Sequence, residues 1–194
     1  MTRITIIQGH PTSDARHFCH ALADAYAQGA AEEGHEVRLI PVAELDFPLL
    51  RSKDDWDKAP PPSAIAEGQQ ALAWAEHLVI IYPLWLGGMP AILKGFLEQT
   101  FRSVFTTGGA GPEASWKSAL RGRSSRIVIT MGMPAFAFRW YFGAHSLRSL
   151  KRSILSLVGI GPNRHTLIGM IEKMGDAKRK LWLSTLCDLG KKAG

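Results

Sequence analysis

The sequence predicts a single α/β domain that covers residues 1–194 and is built on a doubly wound, five-stranded parallel sheet of strand order 2-1-3-4-5. Three observations favour this fold. Strand-like and helix-like patterns alternate five times along the chain. The runs Leu78–Tyr82 and Ser125–Met131 are largely apolar, which is typical of central parallel strands covered on both faces. A chain of 194 residues with 46% hydrophobic residues can also bury a substantial core.

The chain begins with a strand, a helix and a second strand. The β-branched run Arg3–Gln8 predicts the first, central strand. We expect Ser13 or Asp14 to cap the helix that follows and Gly34 to end it. Glu36–Ile40 alternates between polar and apolar residues, as a half-exposed edge strand does. One face of the helix is formed by Phe18, Leu22, Ala25, Tyr26 and Gly29.

Two helices flank the third strand. Phe47–Pro62 is rich in prolines and acidic residues, so we expect no regular structure there. Ser63–Trp74 resumes a helical pattern. After the strand, Pro90 is expected in the first turn of the next helix, where its missing N–H costs nothing. The apolar stripe of that helix comprises Ile92, Leu93, Phe96 and Leu97.

The pattern of residues in the second half of the chain predicts a loop, two strands and two helices. Arg102–Gly122 contains a glycine-rich stretch, which we interpret as a loop that either covers a site as a lid or is a plain surface excursion. The fourth strand, Ser125–Met131, precedes a helix over Ser146–Val158. Arg164–Ile168 is the final strand and Asp176–Leu189 the closing helix.

The loop after the first strand carries polar side chains at the start of a helix. Gly9–Asp14 is not a GxGxxG fingerprint, which disfavours a Rossmann dinucleotide site. Unsatisfied N–H groups and the helix dipole favour a phosphate at such a place. Thr12, Ser13, Arg16 and His17 are candidate side-chain donors. Ordinary capping of the helix explains the same residues equally well.

The loop after the third strand carries bulky apolar residues. Leu84, Trp85 and Leu86 lie there and are followed by Gly87 and Gly88. In open parallel sheets, ligands bind just beyond the carboxyl ends of the strands. A flat ring such as an isoalloxazine would find backbone donors and apolar side chains at this loop.

The segment YPLWLGGMPAILKGFLEQTF resembles the signature of the flavodoxin-like NAD(P)H:quinone oxidoreductase family. The resemblance implies a flavodoxin-like fold, FAD or FMN as cofactor, NAD(P)H as hydride donor, a quinone-like acceptor and a homodimer. It implies an enzyme that works by two-electron, ping-pong hydride transfer. The residues that it assigns to the flavin are His10, Thr12, Ser13, Arg16, His17, Phe18, Pro83, Leu84, Trp85, Leu86, Thr130, Met131, Gly132 and Met133.

The most aromatic stretch of the chain is Ala135–His145. Taken alone, this stretch favours a segment that packs in the core or in a dimer. The resemblance implies instead that Tyr141 and His145 stabilise charge on the reduced flavin. A lone histidine is more often structural, so both interpretations of His145 stay open.

Composition limits the other functional classes. A formal charge of +6 and a pI near 9.5 raise nucleic acid as a partner, but no recognised binding motif accompanies the charge, and anionic cofactors account for it. Cys19 and Cys187 belong to no metal or disulfide pattern. We expect a cytoplasmic protein with no membrane insertion. The alternative function is a flavin-bearing regulatory or electron-transfer subunit, for example of a potassium-efflux system.

Overall fold

A computed structural model describes residues 1–106 and 120–194. Its sheet has five parallel strands in the order β2-β1-β3-β4-β5, as predicted. The strands are β1 (Arg3–Gln8), β2 (Glu36–Pro41), β3 (His77–Pro83), β4 (Ser124–Thr130) and β5 (Asn163–Ile168). Every residue of β3 is buried, which explains its unbroken apolar run.

Helices cover both faces of the sheet. They are α1 (Phe18–Glu32), α2 (Lys53–Lys58), α3 (Ser63–Trp74), α4 (Ala91–Thr106), α5 (His145–Ser149) and α6 (Asp176–Lys191). A π-helical turn spans Ala137–Tyr141, and α5 continues into a second π-helical stretch over Leu150–Leu155. On one face, Ile4, Ile6 and Val79 pack with residues of α1 and α6, whereas Ile7 and Ile80 pack with α3 and α4 on the other.

Helices α1 and α6 approach each other at two glycines. A Cβ atom added to Gly29 would lie 1.9 Å from the carbonyl oxygen of Cys187. A Cβ added to Gly190 would lie 2.1 Å from the carbonyl oxygen of Tyr26. Both positions therefore require glycine because the two helix backbones are in direct contact. Gly29 was predicted on the buried face of its helix, and it is buried.

The prediction of no regular structure over Phe47–Pro62 was wrong, because α2 lies within it. Ser52 and Asp55 form a reciprocal capping box at its start. At its end, the guanidinium of Arg102 donates hydrogen bonds to the carbonyl oxygens of Asp55 (2.6 Å), Trp56 (3.0 Å) and Ala59 (2.7 Å). A six-residue helix is too short to be stable alone, so this distant arginine supplies what the local sequence lacks.

Both ends of α4 differ from the predictions. Helix α4 starts at Ala91, so Pro90 precedes its first turn instead of lying in it. Arg102–Thr106 continues α4 and is not part of a loop. Residues 107–119, which contain most of the glycine-rich part of the predicted lid or surface loop, lie outside the described residues. Of the aromatic side chains in Ala135–His145, only Phe138 is in the core, whereas Phe136, Trp140, Tyr141 and Phe142 are exposed. No helix within residues 1–106 and 120–194 is both long and apolar enough to cross a membrane.

Candidate active site

The loops after β1, β3 and β4 meet at the carboxyl edge of the sheet. The amide of Gly9 donates to the carbonyl oxygen of Ile81 at 2.7 Å, and the amide of Leu84 donates to that of Thr130 at 2.7 Å. The ring of Trp85 lies edge-on to His10, with ring centroids 6.5 Å apart. The structure therefore brings together the three segments that the sequence assigned to one ligand.

The loop after β3 is a tight hairpin. Trp85 and Gly88 exchange both backbone hydrogen bonds at 2.9 Å, and Leu86 (φ 44°) and Gly87 (φ 77°) form the turn between them. A left-handed conformation costs a non-glycine residue about 1–2 kcal/mol, so Leu86 is strained. Its side chain is fully exposed and Trp85 is 54% exposed. Strain and exposed apolar surface on one loop are typical of a ligand-binding segment.

Three imidazoles crowd the loop after β1. The ring of His10 stacks on His17 at 4.2 Å and lies 5.5 Å from His20. The His20 ring nitrogen Nε2 is 2.9 Å from the Thr12 carbonyl oxygen. Burial lowers the pKa of His10, and the neighbouring charges of His17 and His20 lower it further. The loop therefore holds His10 neutral near pH 7 and leaves the exposed His17 at its outer surface.

The start of α1 carries no side-chain cap, so the prediction that Ser13 or Asp14 caps it was wrong. His17 occupies the N-cap position, and Asp14 is bound to Arg16 at 2.6 Å. Hydrogen bonds from Arg16, mainly from its guanidinium and then from its backbone amide, hold the pKa of Asp14 well below its usual range. The first amides of α1 thus face a loop whose Thr12 and Ser13 are exposed, which is an arrangement suited to an anion.

The turn after β4 is fastened to the segment after β5. Met131 donates to the carbonyl oxygen of Ile168 at 2.9 Å, and Met170 donates to that of Met133 at 3.1 Å. Thr130 is buried and its hydroxyl contacts Cys19 Sγ at 3.2 Å, so it faces α1 and not the turn. In the described part of the chain, the amides of Gly132 and Met133 have no hydrogen-bond partner.

A cavity of about 250 Å³ lies between the loops after β3 and β4. Three of its lining residues, Leu84, Met133 and His145, were candidate flavin-site residues in the sequence analysis. Leu84 and Met133 come from two different loops, so the cavity is formed only when the loops meet. The imidazole of His145 packs over Gly143, where an added Cβ would lie 2.8 Å from Nε2. The cavity is lined by Leu84, Gly87, Met133, Phe138, Phe142 and His145.

Tyr141 is placed differently from His145. Its ring is 85% exposed and packs edge-on against Phe142 at 4.9 Å. It does not line the cavity. Gly143 (φ 61°) and Ala144 (φ 47°) lie between the two residues in the left-handed conformation and turn the chain.

Comparison with known proteins gives a family. The family model described as flavodoxin-like fold matches residues 2–183. This chain belongs to that family. The flavodoxin-like fold predicted from the sequence is thereby confirmed, together with its strand order.

Three proteins illustrate the relatives of this flavodoxin-like chain. A Haemophilus influenzae protein named as an NAD(P)H oxidoreductase is 27% identical over 179 residues, which are 90% of this chain and 87% of that protein. The structure of an NAD(P)H:quinone oxidoreductase from Methanothermobacter marburgensis is 21% identical with a TM-score of 0.79, covering 100% and 99% of the two chains. An FMN-dependent NADH-azoreductase from Bacillus anthracis, in complex with FMN, is 14% identical with a TM-score of 0.73 over 99% and 98%. The match of the family model confirms the flavodoxin-like family recognised from the Tyr82–Phe101 segment.

The residues of this flavodoxin-like chain fit a flavin. Two groups of hydrogen-bond donors are available to such a ligand. Free amides and exposed hydroxyls at the start of α1 suit a phosphate. The free amides of Gly132 and Met133 suit the acceptor atoms on a ring edge. Gln8 is the last residue of β1, directly before the loop Gly9–Asp14. The nitrogen and the oxygen of its side-chain amide are both buried without a hydrogen-bond partner among the described residues. An unmet buried polar group costs about 1–3 kcal/mol, which a polar ligand atom within reach of the Gln8 amide would offset.

Sequence reasoning missed several residues of this flavodoxin-like site. Phe138 and Phe142 line the cavity but were interpreted only as part of an aromatic stretch. Gly169 was not considered, although an added Cβ would lie 2.5 Å from the amide nitrogen of Ala135. A glycine directly after a strand was the available signal, because such a position often marks a close backbone approach.

Proposed function

We propose that this chain is a flavin-dependent NAD(P)H oxidoreductase that passes two electrons to a quinone or a similar electrophilic acceptor. The observation that carries the proposal is the meeting, at one sheet edge, of an uncapped helix start and an apolar cavity walled by His145. The relatives named as NAD(P)H oxidoreductases support it. FMN is the first candidate cofactor, because the Bacillus anthracis azoreductase contains it, and FAD is the alternative.

The chain's own groups have distinct roles in this proposal. Thr12, Ser13 and the first amides of α1 bind the phosphate. When bound, the flavin supplies the ring that takes up and releases two electrons. Leu84 and Met133, as walls of the cavity, hold the ring and exclude water from it. The amides of Gly132 and Met133 stabilise negative charge at the ring edge, and His145 donates a further hydrogen bond from its imidazole.

Donor and acceptor are proposed to use the same cavity in turn. Its walls include Leu84, Phe138 and Phe142. Because the flavin ring is itself placed in this cavity of about 250 Å³, at most one substrate ring at a time has room on it, so the donor leaves before the acceptor enters. This order of events defines ping-pong kinetics.

We also propose a homodimer, in line with the resemblance. Trp85, Leu86 and Tyr141 expose large apolar side chains near the candidate site. Exposed large apolar side chains are typical of interaction surfaces when they form a patch. The cytoplasmic location stays a prediction from the sequence.

The proposal is tested on the purified protein by its visible spectrum and by flavin release. We expect a bound flavin at a ratio of one per chain, bleaching on anaerobic addition of NADPH or NADH, and recovery on addition of a benzoquinone. Failure to bind FMN or FAD after reconstitution would overturn the proposal. A flavin that binds but is reduced by neither nucleotide would favour the regulatory or electron-transfer subunit.

Exchanging His145 for leucine, which removes the imidazole donor, is expected to lower the rate of benzoquinone reduction about tenfold, which corresponds to the loss of one hydrogen bond to a developing charge, while flavin occupancy stays unchanged. Tyr141→Phe is the matched control, because Tyr141 lies outside the cavity and its ring is exposed. Stopped-flow measurement of the oxidative half-reaction checks both variants. A Tyr141→Phe defect equal to that of His145→Leu would contradict the assignment of the hydrogen bond to His145.

A further inference from the structure

A second cavity, of about 370 Å³, lies beside β5 and shares no lining residue with the first. The same stretch of chain serves both cavities. Phe138 and Phe142 face the first cavity, whereas Arg139 and Trp140 face the second. The second cavity is lined by Ala135, Phe136, Arg139, Trp140, His165 and Leu167.

The second cavity is electropositive. Burial lowers the pKa of His165, and the charges of Lys151, Arg139 and Arg126 lower it further. No carboxylate in the described part of the chain offsets these charges at His165. Neither Arg139 nor Lys151 forms an ion pair with another described residue. Arg139 lines the cavity without a counter-charge among the described residues, which favours an anionic ligand, and arginine is suited to a phosphate in particular.

Aromatic side chains form the rim of this cavity. Phe136 is 68% exposed and Trp140 is 79% exposed. A large ring left in water gains free energy when another flat ring covers it, and indole and phenyl faces stack well on a nucleobase. A phosphorylated adenosine requires an aromatic ring on which the adenine can stack and a positive charge that binds the phosphate, and this cavity has both.

We propose that this cavity binds the adenosine 2′-phosphate end of NADPH, with Arg139 on the phosphate, the charge of Lys151 nearby, and Trp140 against the adenine. The proposal rests on the proposed function, in which NAD(P)H donates hydride at the first cavity. The two cavities are separated by one turn of helix, and a helix with its side chains is about 10–12 Å across. A dinucleotide extends far enough to place its two ends on either side of such a turn. Because NADH lacks the 2′-phosphate, the enzyme prefers NADPH.

The test combines steady-state kinetics with binding of 2′,5′-ADP, which carries the phosphorylated adenosine but no nicotinamide. In Arg139→Gln we expect the KM for NADPH to rise about tenfold, the size of one charged contact, and the KM for NADH to change less than twofold. Titration calorimetry should show the same loss of affinity for 2′,5′-ADP and no change for 5′-AMP. Arg152→Gln is the control, because it removes an exposed arginine that does not act on His165.

The outcomes separate this proposal from the proposed function. Equal effects of Arg139→Gln on NADPH and NADH, or absence of 2′,5′-ADP binding to the parent protein, would overturn the assignment. Weaker 2′,5′-ADP binding in Arg139→Gln with an unchanged KM for NADPH would also overturn it, since the ligand would then be a free nucleotide. If neither nucleotide reduces the flavin, the proposed function fails, and NADPH is excluded as the occupant. Trp140→Leu, which keeps the charges, is expected to weaken 2′,5′-ADP and 5′-AMP alike.

Discussion

Replacing Gly29 with alanine is expected to lower the free energy of unfolding by about 3 kcal/mol, although alanine at a helix interior normally stabilises a helix by about 1 kcal/mol. The reason is that the new Cβ would lie 1.9 Å from the carbonyl oxygen of Cys187, so α1 and α6 would have to separate. Their separation would loosen the contacts that Leu22, Tyr26 and Leu186 make in the core on that face. Urea denaturation followed by circular dichroism measures the change.

Gly175→Ala provides the control for the glycine substitution itself. Gly175 lies at the N-cap of α6, has no left-handed backbone, and nothing lies within 4 Å of its added Cβ. Its replacement is expected to change stability by less than about 1 kcal/mol. If Gly29→Ala were as stable as Gly175→Ala, the two helices would not be in the close contact that the structure shows.

The sheet was predictable because its signals are local. The apolar run of β3 follows from burial on both faces, and the polar and apolar alternation of β2 follows from its place at the edge. These patterns require no knowledge of which residue lies opposite. The strand order was predicted from the alternation of strands with helices, and the sheet in the structure has the predicted order.

Other features could not be predicted because they depend on distant residues. Helix α2 requires Arg102, which is more than 40 positions away and closes its last turn. The glycine at position 29 has its partner atom on Cys187. Likewise, the positions of Tyr141 and His145 depend on the left-handed residues between them, and residue spacing alone does not reveal such a change of direction.

Gly169→Val is expected to weaken flavin binding about a hundredfold, or by about 3 kcal/mol, while the protein stays folded. The added Cβ would lie 2.5 Å from the amide nitrogen of Ala135 and 2.7 Å from the carbonyl oxygen of Met133. The turn after β4 would therefore move away from the segment after β5 and take Met133 with it. Because Met133 lines the cavity and offers a free amide there, the ring would lose both a wall and a donor.

Flavin affinity of the Gly169 variants is measured by fluorescence quenching during reconstitution with FMN, next to the parent and Gly175→Ala. Gly169→Ala, which adds only the Cβ, is expected to fall between Gly169→Val and the parent, because the strain grows with the atoms that the turn must clear. Circular dichroism shows whether each variant keeps its fold, so a loss of affinity can be separated from unfolding. Parent-like FMN affinity in a folded Gly169→Val protein would mean that the turn holding Met133 does not contact the cofactor. The flavin ring would then have to be placed against the loop after β3 alone, where the strained Leu86 and the exposed Trp85 lie.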